Sequence, residues 1–304
     1  MVALGRIGFA ITALAVAVGC ASEPALKPSG GGPIVAARLP KCQGSAHSCS
    51  KRLNEIVFPT AHNAMSSAAA SWFLPNQPDG LLLQLEHGIR GLMLDVHPYD
   101  GDDVARKGKP MLCHGFCAGG SRDLAEALSE IWLWMQSHPR ELIVLVLEDY
   151  VPETAIDAAL VASQLRQTCI ERAPGAHTAT LGTLLAANTR VLIMTESSKG
   201  KLLWNFGYEA IAFDTPYAAE TAKDFSCNVL RGKPGNAFFV VNHFLTKGLT
   251  NHAELADQVN HNPLLADRVK QCETAQSHRA NLIAVDWYTT GDVVALAATL
   301  NQQP

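Results

Sequence analysis

Eight short apolar runs, separated by stretches with helical spacing, constrain the fold of this chain more than any other feature. Several runs are rich in Val, Ile and Leu without polar alternation, which is typical of parallel strands buried on both faces. Between the third and fourth runs, apolar residues from Leu124 to Met135 recur at helical spacing until Pro139. The runs are Glu55–Ala61, Gly91–His97, Pro110–His114, Leu142–Asp149, Arg190–Glu196, Ala210–Thr215, Ala237–Phe244 and Leu282–Tyr288.

Strands that alternate with helices predict a single-domain α/β fold, a (β/α)8 barrel of the TIM type in regular or irregular form. The alternative is an open, doubly wound parallel sheet. No Gly-x-Gly-x-x-Gly turn follows the first run, so the dinucleotide-binding signal often found in that alternative is missing. We therefore expect the barrel.

Every run ends in an acid, an amide or an imidazole. Active sites of such barrels lie at the carboxyl ends of the strands, so these side chains should converge on one polar face. Simple solvation is the competing explanation for Asp149, Glu196 and Asp214. Asn242 and His243 point to opposite faces of their strand, so only one of them can face the interior. The residues are His62, Asn63, Asp95, His97, His114, Glu148, Asp149, Glu196, Asp214, Asn242, His243 and Asp286.

The N-terminal segment predicts export. An uncharged run, Ile7–Gly19, follows Arg6 and is too short to span a bilayer, which requires roughly 20 apolar residues. Its length is typical of a signal-peptide core, and small residues precede Cys20. We expect residues 1–20 to be a lipoprotein signal peptide whose Cys20 becomes lipidated, with plain secretion as the alternative.

Residues 21–38 are rich in Pro, Gly, Ser and Ala, which predicts a flexible tether. The predicted catalytic barrel then comprises residues 39–304, held at the bacterial cell envelope by the lipid anchor or secreted. The formal net charge of −4 comes with no basic stripe, so nucleic acid is not an expected partner. Oligomeric state cannot be inferred from the sequence.

Cysteine usage also fits an exported protein. The plausible pairs are Cys42 with Cys49, Cys113 with Cys117 and Cys227 with Cys272, which leaves Cys169 free. Connectivity does not follow from sequence, so this pairing is a hypothesis. Zinc binding is the alternative, but the spacings do not form a zinc-ribbon pattern.

Six segments together resemble the X domain of the phosphatidylinositol-specific phospholipase C family, in its secreted bacterial and plant-type branch. The resemblance covers roughly residues 50–290. It implies the same barrel and the cleavage of a phosphodiester. The segments are Phe58–Ser66, Gly88–His97, Leu112–Gly115, Leu145–Tyr150, Phe239–Thr246 and Asn281–Tyr288.

The resemblance implies a lyase reaction in two steps on an inositol phospholipid. The inositol 2-hydroxyl attacks phosphorus to give a cyclic phosphate, which water can then open. His62 would act as the general base and His114 as the general acid, since imidazole can hold or release a proton near neutral pH. Asp286, at the end of the last run, would hold His62 in the correct tautomer.

The resemblance also suggests a metal. Asn63, Asp95 and Glu148 match the positions that hold calcium in the calcium-dependent branch, and oxygen ligands suit Ca2+. His97 stands where that branch has a second acid and where the metal-independent branch has an arginine. His97 is therefore a candidate contact to substrate, and another divalent ion or no metal remains open. Asn242 is a candidate for binding substrate hydroxyls.

Two other functions remain as alternatives. The first is a glycerophosphodiester or sphingolipid phosphodiesterase on a related barrel, although the His-Arg-Gly motif of glycerophosphodiesterases is absent because position 63 is Asn. The second is a surface lipoprotein that binds a headgroup or glycan without catalysis. The presence of both His62 and His114 argues against the second, because binding alone requires neither a base nor an acid.

Overall fold

The computed structural model describes residues 41–197 and 200–303. The predicted signal peptide (1–20), its Cys20 and the predicted tether (21–38) lie outside the described residues. Within the described part, none of the helices combines the length and the apolar character that crossing a bilayer requires.

Each of the eight apolar runs contains a strand, and a ninth, very short strand follows the third run. The strands build one curled sheet. They are β1 (Phe58–Ala61), β2 (Gly91–Pro98), β3 (Pro110–Leu112), β4 (Arg122–Asp123), β5 (Ile143–Asp149), β6 (Val191–Thr195), β7 (Ala212–Asp214), β8 (Phe238–Asn242) and β9 (Ala280–Val285).

Seven of the described strands are parallel, in the order β7-β8-β9-β1-β2-β5-β6. The prediction of eight parallel strands is wrong at the third run, because β3 is antiparallel to the end of β2 and forms a hairpin with β4. Strands β6 and β7 are not paired with each other in the described residues. The α/β class is thus confirmed, but strand pairing does not close a complete (β/α)8 barrel.

Helices follow most of the parallel strands. The predicted helix between the third and fourth runs is confirmed as α2, and Asp123 caps it by accepting hydrogen bonds from the backbone of Ala125 and Glu126. The helices are α1 (Leu81–Glu86), α2 (Leu124–Ser137), α3 (Glu153–Ala162), α4 (Leu181–Ala186), α5 (Tyr208–Ile211), α6 (His252–Val259), α7 (Leu264–Gln276) and α8 (Val293–Gln302).

The sheet is apolar on both faces, as parallel strands covered by helices require. Residues such as Leu145 and Ile283 pack outward with the helices. Their neighbours along the strands, such as Val146 and Leu282, pack into the concave interior with Phe58. Because side chains alternate along a strand, this register also decides which polar residue at each strand end turns inward.

On each parallel strand, every second side chain points into the interior core, and the next inward position at the carboxyl end of the strand holds a polar residue. For example, Phe58 and Thr60 lead to His62, and Phe238 and Val240 lead to Asn242. By the same count, the inward positions at the other ends are Asp95, Glu148, Glu196, Asp214 and Asp286. The predicted convergence on one face therefore follows from strand register.

Three disulfides are present, as the cysteine spacing suggested. Their pairs are Cys42–Cys49, Cys113–Cys117 and Cys227–Cys272. The remaining described cysteine, Cys169, is free and buried.

Close packing between β1 and β2 gives a test of the register. Gly91 lies opposite Thr60, and a Cβ atom at Gly91 would lie 2.2 Å from Thr60 Oγ1. We expect Gly91→Ala to lower the free energy of unfolding by about 1–3 kcal/mol, as overpacking in a core does. Urea unfolding monitored by circular dichroism measures this change.

The Thr60→Ala/Gly91→Ala double variant is the matched control. Thr60→Ala removes Oγ1 and Cγ2, which would lie 2.2 and 2.8 Å from the new Cβ, and leaves only the Thr60 Cβ position at 2.9 Å. The double variant should therefore be less destabilised than the sum of the two single variants. Additive losses would contradict the proposed contact between the two strands.

Candidate active site

His62 and Asp286 lie just beyond the adjacent parallel strands β1 and β9, so their side chains meet. His62 Nδ1 is 2.8 Å from Asp286 Oδ1. Burial acts to raise the pKa of Asp286, but the contacts with His62 and His252 outweigh it and lower the pKa to about 2. The ionised carboxylate can only accept, so Nδ1 carries the proton and Nε2 of neutral His62 is free to take one.

Neighbouring side chains fix this pair in place. The ring of Phe244 stacks on His62 with centroids 3.7 Å apart and planes 6° from parallel. Asn76 Nδ2 donates to Asp286 Oδ1 at 3.1 Å. Gln77 Nε2 donates to the carbonyl groups of His62 and Val285, which joins the ends of the two strands.

His114 reaches the same site from the loop between β3 and β4. The Cys113–Cys117 disulfide closes this loop, and Gly115 turns the chain back with a φ of +75°. His114 Nε2 lies 3.1 Å from Nδ2 of Asn63, which itself adopts a φ of +44°, a conformation that Asn tolerates. Both histidines line one cavity.

The surroundings of His114 favour its neutral form. Burial lowers the pKa of His114, and His62 lowers it further when His62 is protonated, while Asp286 acts in the opposite direction. The Asn63 amide donates to a neutral imidazole, which places the His114 proton on Nδ1. Any role as an acid therefore requires a nearby negative charge.

A second cavity, which also contains His62 and Asn63, is rich in carboxylates. Asp95 and Glu148 stand side by side on β2 and β5, and Glu196 lies beyond β6. Burial and the charges of Glu148 and Glu196 raise the pKa of Asp95 to about 8. Burial also raises the pKa of Glu196 to about 7, although Arg231 opposes this.

The predicted ligands Asn63, Asp95 and Glu148 line this same cavity. Their oxygen atoms suit a hard divalent cation. Such a cation would also offset the electrostatic repulsion between ionised Asp95 and the neighbouring carboxylates of Glu148 and Glu196. Within residues 41–197 and 200–303, however, no group of three or more His, Cys, Asp or Glu side chains is arranged to hold a metal. The case for a cation at this site thus depends on two carboxylates, Asp95 and Glu148, and on the amide of Asn63.

Arg231 provides the positive charge of this cavity, and the sequence reasoning missed it. Its guanidinium donates to Asp214, the last residue of β7, and to Glu196 just beyond β6, and it lies over the rings of Tyr208 and Tyr217. Arg231 lies in a loop, so no strand-end pattern could have identified it. The same bonds show that Glu196 and Asp214 are more than solvated strand ends.

The two candidate substrate contacts have different surroundings. Asn242 turns inward, lines the carboxylate-rich cavity and donates to the carbonyl of Thr215 at 2.7 Å. His97 lies where β2 leaves the barrel for the hairpin, and its ring stacks on Tyr150 at 4.2 Å instead of lining that cavity. The Tyr150 hydroxyl bonds to Glu148, so His97 reaches the acidic cluster only indirectly.

The cavity that contains the two histidines has an apolar rim. Trp72, Phe73 and Phe116 line it, and Phe73 and Phe116 are 57% and 50% exposed. His252, the first residue of α6, also lines it and approaches Asp286. The sequence reasoning missed His252, because it belongs to a helix with no motif around it.

Known proteins resemble this chain over most of its length. The PI-PLC X family model matches residues 48–301. A PI-PLC X domain-containing protein of Arthroderma benhamiae is 26% identical over 290 residues, covering 86% of this chain and 89% of that protein. One from Arabidopsis thaliana is 26% identical over 291 residues, covering 86% and 66%.

Solved structures share the fold at much lower identity. The phosphatidylinositol-specific phospholipase C of Staphylococcus aureus superposes with a TM-score of 0.56 at 14% identity, over 84% of this chain and 95% of that chain. At this level of identity, the likeness shows the fold alone.

The crowded carboxylates predict a pH dependence of stability. Folding raises the pKa of Asp95 from 3.8 to about 8, so the contribution of Asp95 to stability is greatest below pH 3.8 and is lost progressively as the pH rises from there to about 8. Without a cation, Asp95→Asn should melt roughly 2–4 °C or more above the wild type at pH 8, and calcium should stabilise only the wild type. Thermal melting in chelator and in calcium measures both effects.

Asp257→Asn, at a residue whose side chain is 76% exposed, is the control and should not change the pH dependence. An Asp95→Asn variant with the same loss of stability toward high pH as the wild type would show that the carboxylates are not crowded as described.

Proposed function

Since the chain belongs to the PI-PLC X family, we propose that it is a phosphodiesterase that cleaves an inositol phospholipid by acid–base catalysis of two histidines. The observation that carries the proposal is the His62–Asp286 pair, which lies in one cavity with His114. An ionised carboxylate that holds the proton on Nδ1 leaves Nε2 as a base. Binding alone would not require this arrangement.

In the first step, Nε2 of His62 takes the proton of the inositol 2-hydroxyl while that oxygen bonds to phosphorus. The resulting positive charge on His62 is stabilised by Asp286, as in other imidazole–carboxylate pairs. The bond between phosphorus and the lipid oxygen breaks, and that oxygen needs a proton to leave. The products are an inositol cyclic phosphate and diacylglycerol.

His114 supplies that proton. In the free protein, burial lowers the pKa of His114, and His62 lowers it further when His62 is protonated, so the protonated form of His114 is disfavoured. The anionic phosphodiester opposes both effects, because a negative charge nearby stabilises the imidazolium. His114 is thus charged where the substrate is present, and water can later return along the same route to open the cyclic phosphate.

The carboxylate-rich cavity suits a headgroup made of hydroxyl groups. Arg231 is already bonded to Asp214 and Glu196, so its charge is balanced, while Glu196 and Asn242 offer acceptors and donors to a polyol. In this proposal, Asn63, Asp95 and Glu148 hold Ca2+. When bound, the ion would neutralise charge on the phosphate.

The apolar rim suits the lipid side of the substrate. Phe73 and Phe116 line the same cavity as His114, the residue from which the diacylglycerol oxygen receives its proton in this proposal. Two half-exposed aromatic rings at this position can enter the boundary between lipid and water. A lipid anchor at Cys20 would keep the site close to a membrane, and this too is part of the proposal.

Direct assay of the full chain tests the chemistry. We expect phosphatidylinositol in mixed micelles to yield inositol cyclic phosphate, seen by phosphorus NMR. His62→Ala and His114→Ala should each lower kcat by at least about 100-fold, the usual contribution of a general base or acid. Calcium and chelator arms show whether a cation is needed.

The control is His47→Ala, at an exposed histidine outside both cavities. It should retain wild-type turnover. A folded wild-type chain that cleaves no phosphatidylinositol in either arm would overturn the assignment.

The aromatic rim gives a separate expectation. The Phe73→Ala/Phe116→Ala variant should lose about tenfold or more in activity on vesicles, because burying a Phe side chain contributes roughly 1.5–3 kcal/mol. On a soluble short-chain substrate, which needs no membrane contact, its activity should stay near that of the wild type.

Leu133→Ala removes an equally exposed apolar side chain, 61% accessible, from α2 and should change neither activity. Equal losses on vesicles and on the soluble substrate would contradict a membrane role for the two phenylalanines.

A further inference from the structure

Asp286 has two imidazole neighbours. Its Oδ1 accepts hydrogen bonds from His62 Nδ1 and Asn76 Nδ2, while its Oδ2 lies 2.9 Å from Nδ1 of His252. That nitrogen is buried, and Asp286 is its one polar contact among the described residues. The ring is turned away from ideal hydrogen-bond alignment, but the distance is short enough for an ionised carboxylate to attract the Nδ1 proton.

A buried carboxylate needs partners for both oxygens. The Asp286 side chain is 4% exposed, so water cannot readily solvate Oδ2. Removing one partner of a buried charge leaves that charge uncompensated, and the charge then rearranges or is neutralised. The interaction made by Oδ2 therefore affects the orientation of the carboxylate and so the hydrogen bond between Oδ1 and His62.

The His252 side chain is not needed to hold α6 in place. Asn251 caps the helix by accepting from the Ala253 backbone, and Leu255 and Val259 pack in a small apolar cluster. At the far end, Asn260 Nδ2 donates to the backbone carbonyl of Asp286 at 2.8 Å. The helix is thus held at both ends and along its buried face without the His252 side chain.

We propose that His252 is a positioning residue of the reaction. By donating Nδ1–H to Oδ2, it fixes the plane of the Asp286 carboxylate, while Asn76 fixes the Oδ1 end. The carboxylate then holds His62 in the tautomer that leaves Nε2 as the base. This inference rests on the proposed function, since it assigns a role in the same site.

Two substitutions separate the donor from the rest of the ring. His252→Asn places an amide N–H close to the position of Nδ1 and keeps the donor to Oδ2. His252→Leu has a similar volume but no donor. We expect His252→Leu to lower kcat on phosphatidylinositol by about 10–100-fold with KM nearly unchanged, a loss of the size seen when a residue that orients a metal-bound imidazole is removed. His252→Asn should stay within about threefold of the wild type.

Proton NMR of the full chain gives a readout independent of turnover. The downfield signal of the His62 Nδ1 proton, assigned by its absence in His62→Ala, should shift in His252→Leu and remain in His252→Asn. Wild-type kcat in His252→Leu would overturn the proposal. So would an unshifted signal, or equal losses of kcat in the two variants.

Folding and function are tested separately. Circular dichroism shows whether His252→Leu folds. If it does not, His252→Gln replaces it, because its amide lies at the Nε2 position and cannot replace the donor. Gln turnover equal to that of Asn would overturn the proposal. A wild-type chain without activity, combined with the expected signal shift, would overturn the proposed function but leave the shared carboxylate supported.

Discussion

The buried carboxylate of Asp286 is the constraint on which the site depends. It must stay ionised in the protein interior, and it does so because His62 and Asn76 donate to Oδ1 and Nδ1 of His252 lies 2.9 Å from Oδ2. Those donors require β1 and β9 to be neighbours with matching ends. The pairing of the first and last parallel strands thus forms the His62–Asp286 pair that serves as the proposed base.

The sequence was sufficient to predict the features that depend on strand periodicity, namely where the strands lie and which side chains point inward. All eight apolar runs contain strands, and side-chain alternation explains why His62, Asp95, Glu148 and Asp286 face one another. Periodicity carries no information about strand direction. The third run, which supplies His114, has the composition of a barrel strand but pairs antiparallel with β2.

The site residues that lie outside strands could not be predicted from strand periodicity at all. Arg231 lies in a long loop and His252 at the start of a short helix, and neither belongs to a repeating pattern. Their roles arise from contacts with Asp214, Glu196 and Asp286, which are distant in sequence. A charged side chain in a loop becomes informative only when its partner is known.

The gap between β6 and β7 means that two kinds of interaction hold the site together. Hydrogen-bonded strands hold His62 and Asp286 on one side, whereas Arg231 joins Glu196 and Asp214 across the gap by charge. The residues proposed to react and those proposed to bind the headgroup are therefore held in place by different interactions. If the proposed function holds, descendants of such a chain can replace the loop that carries Arg231, and so change the headgroup they accept, without disturbing the imidazole–carboxylate pair.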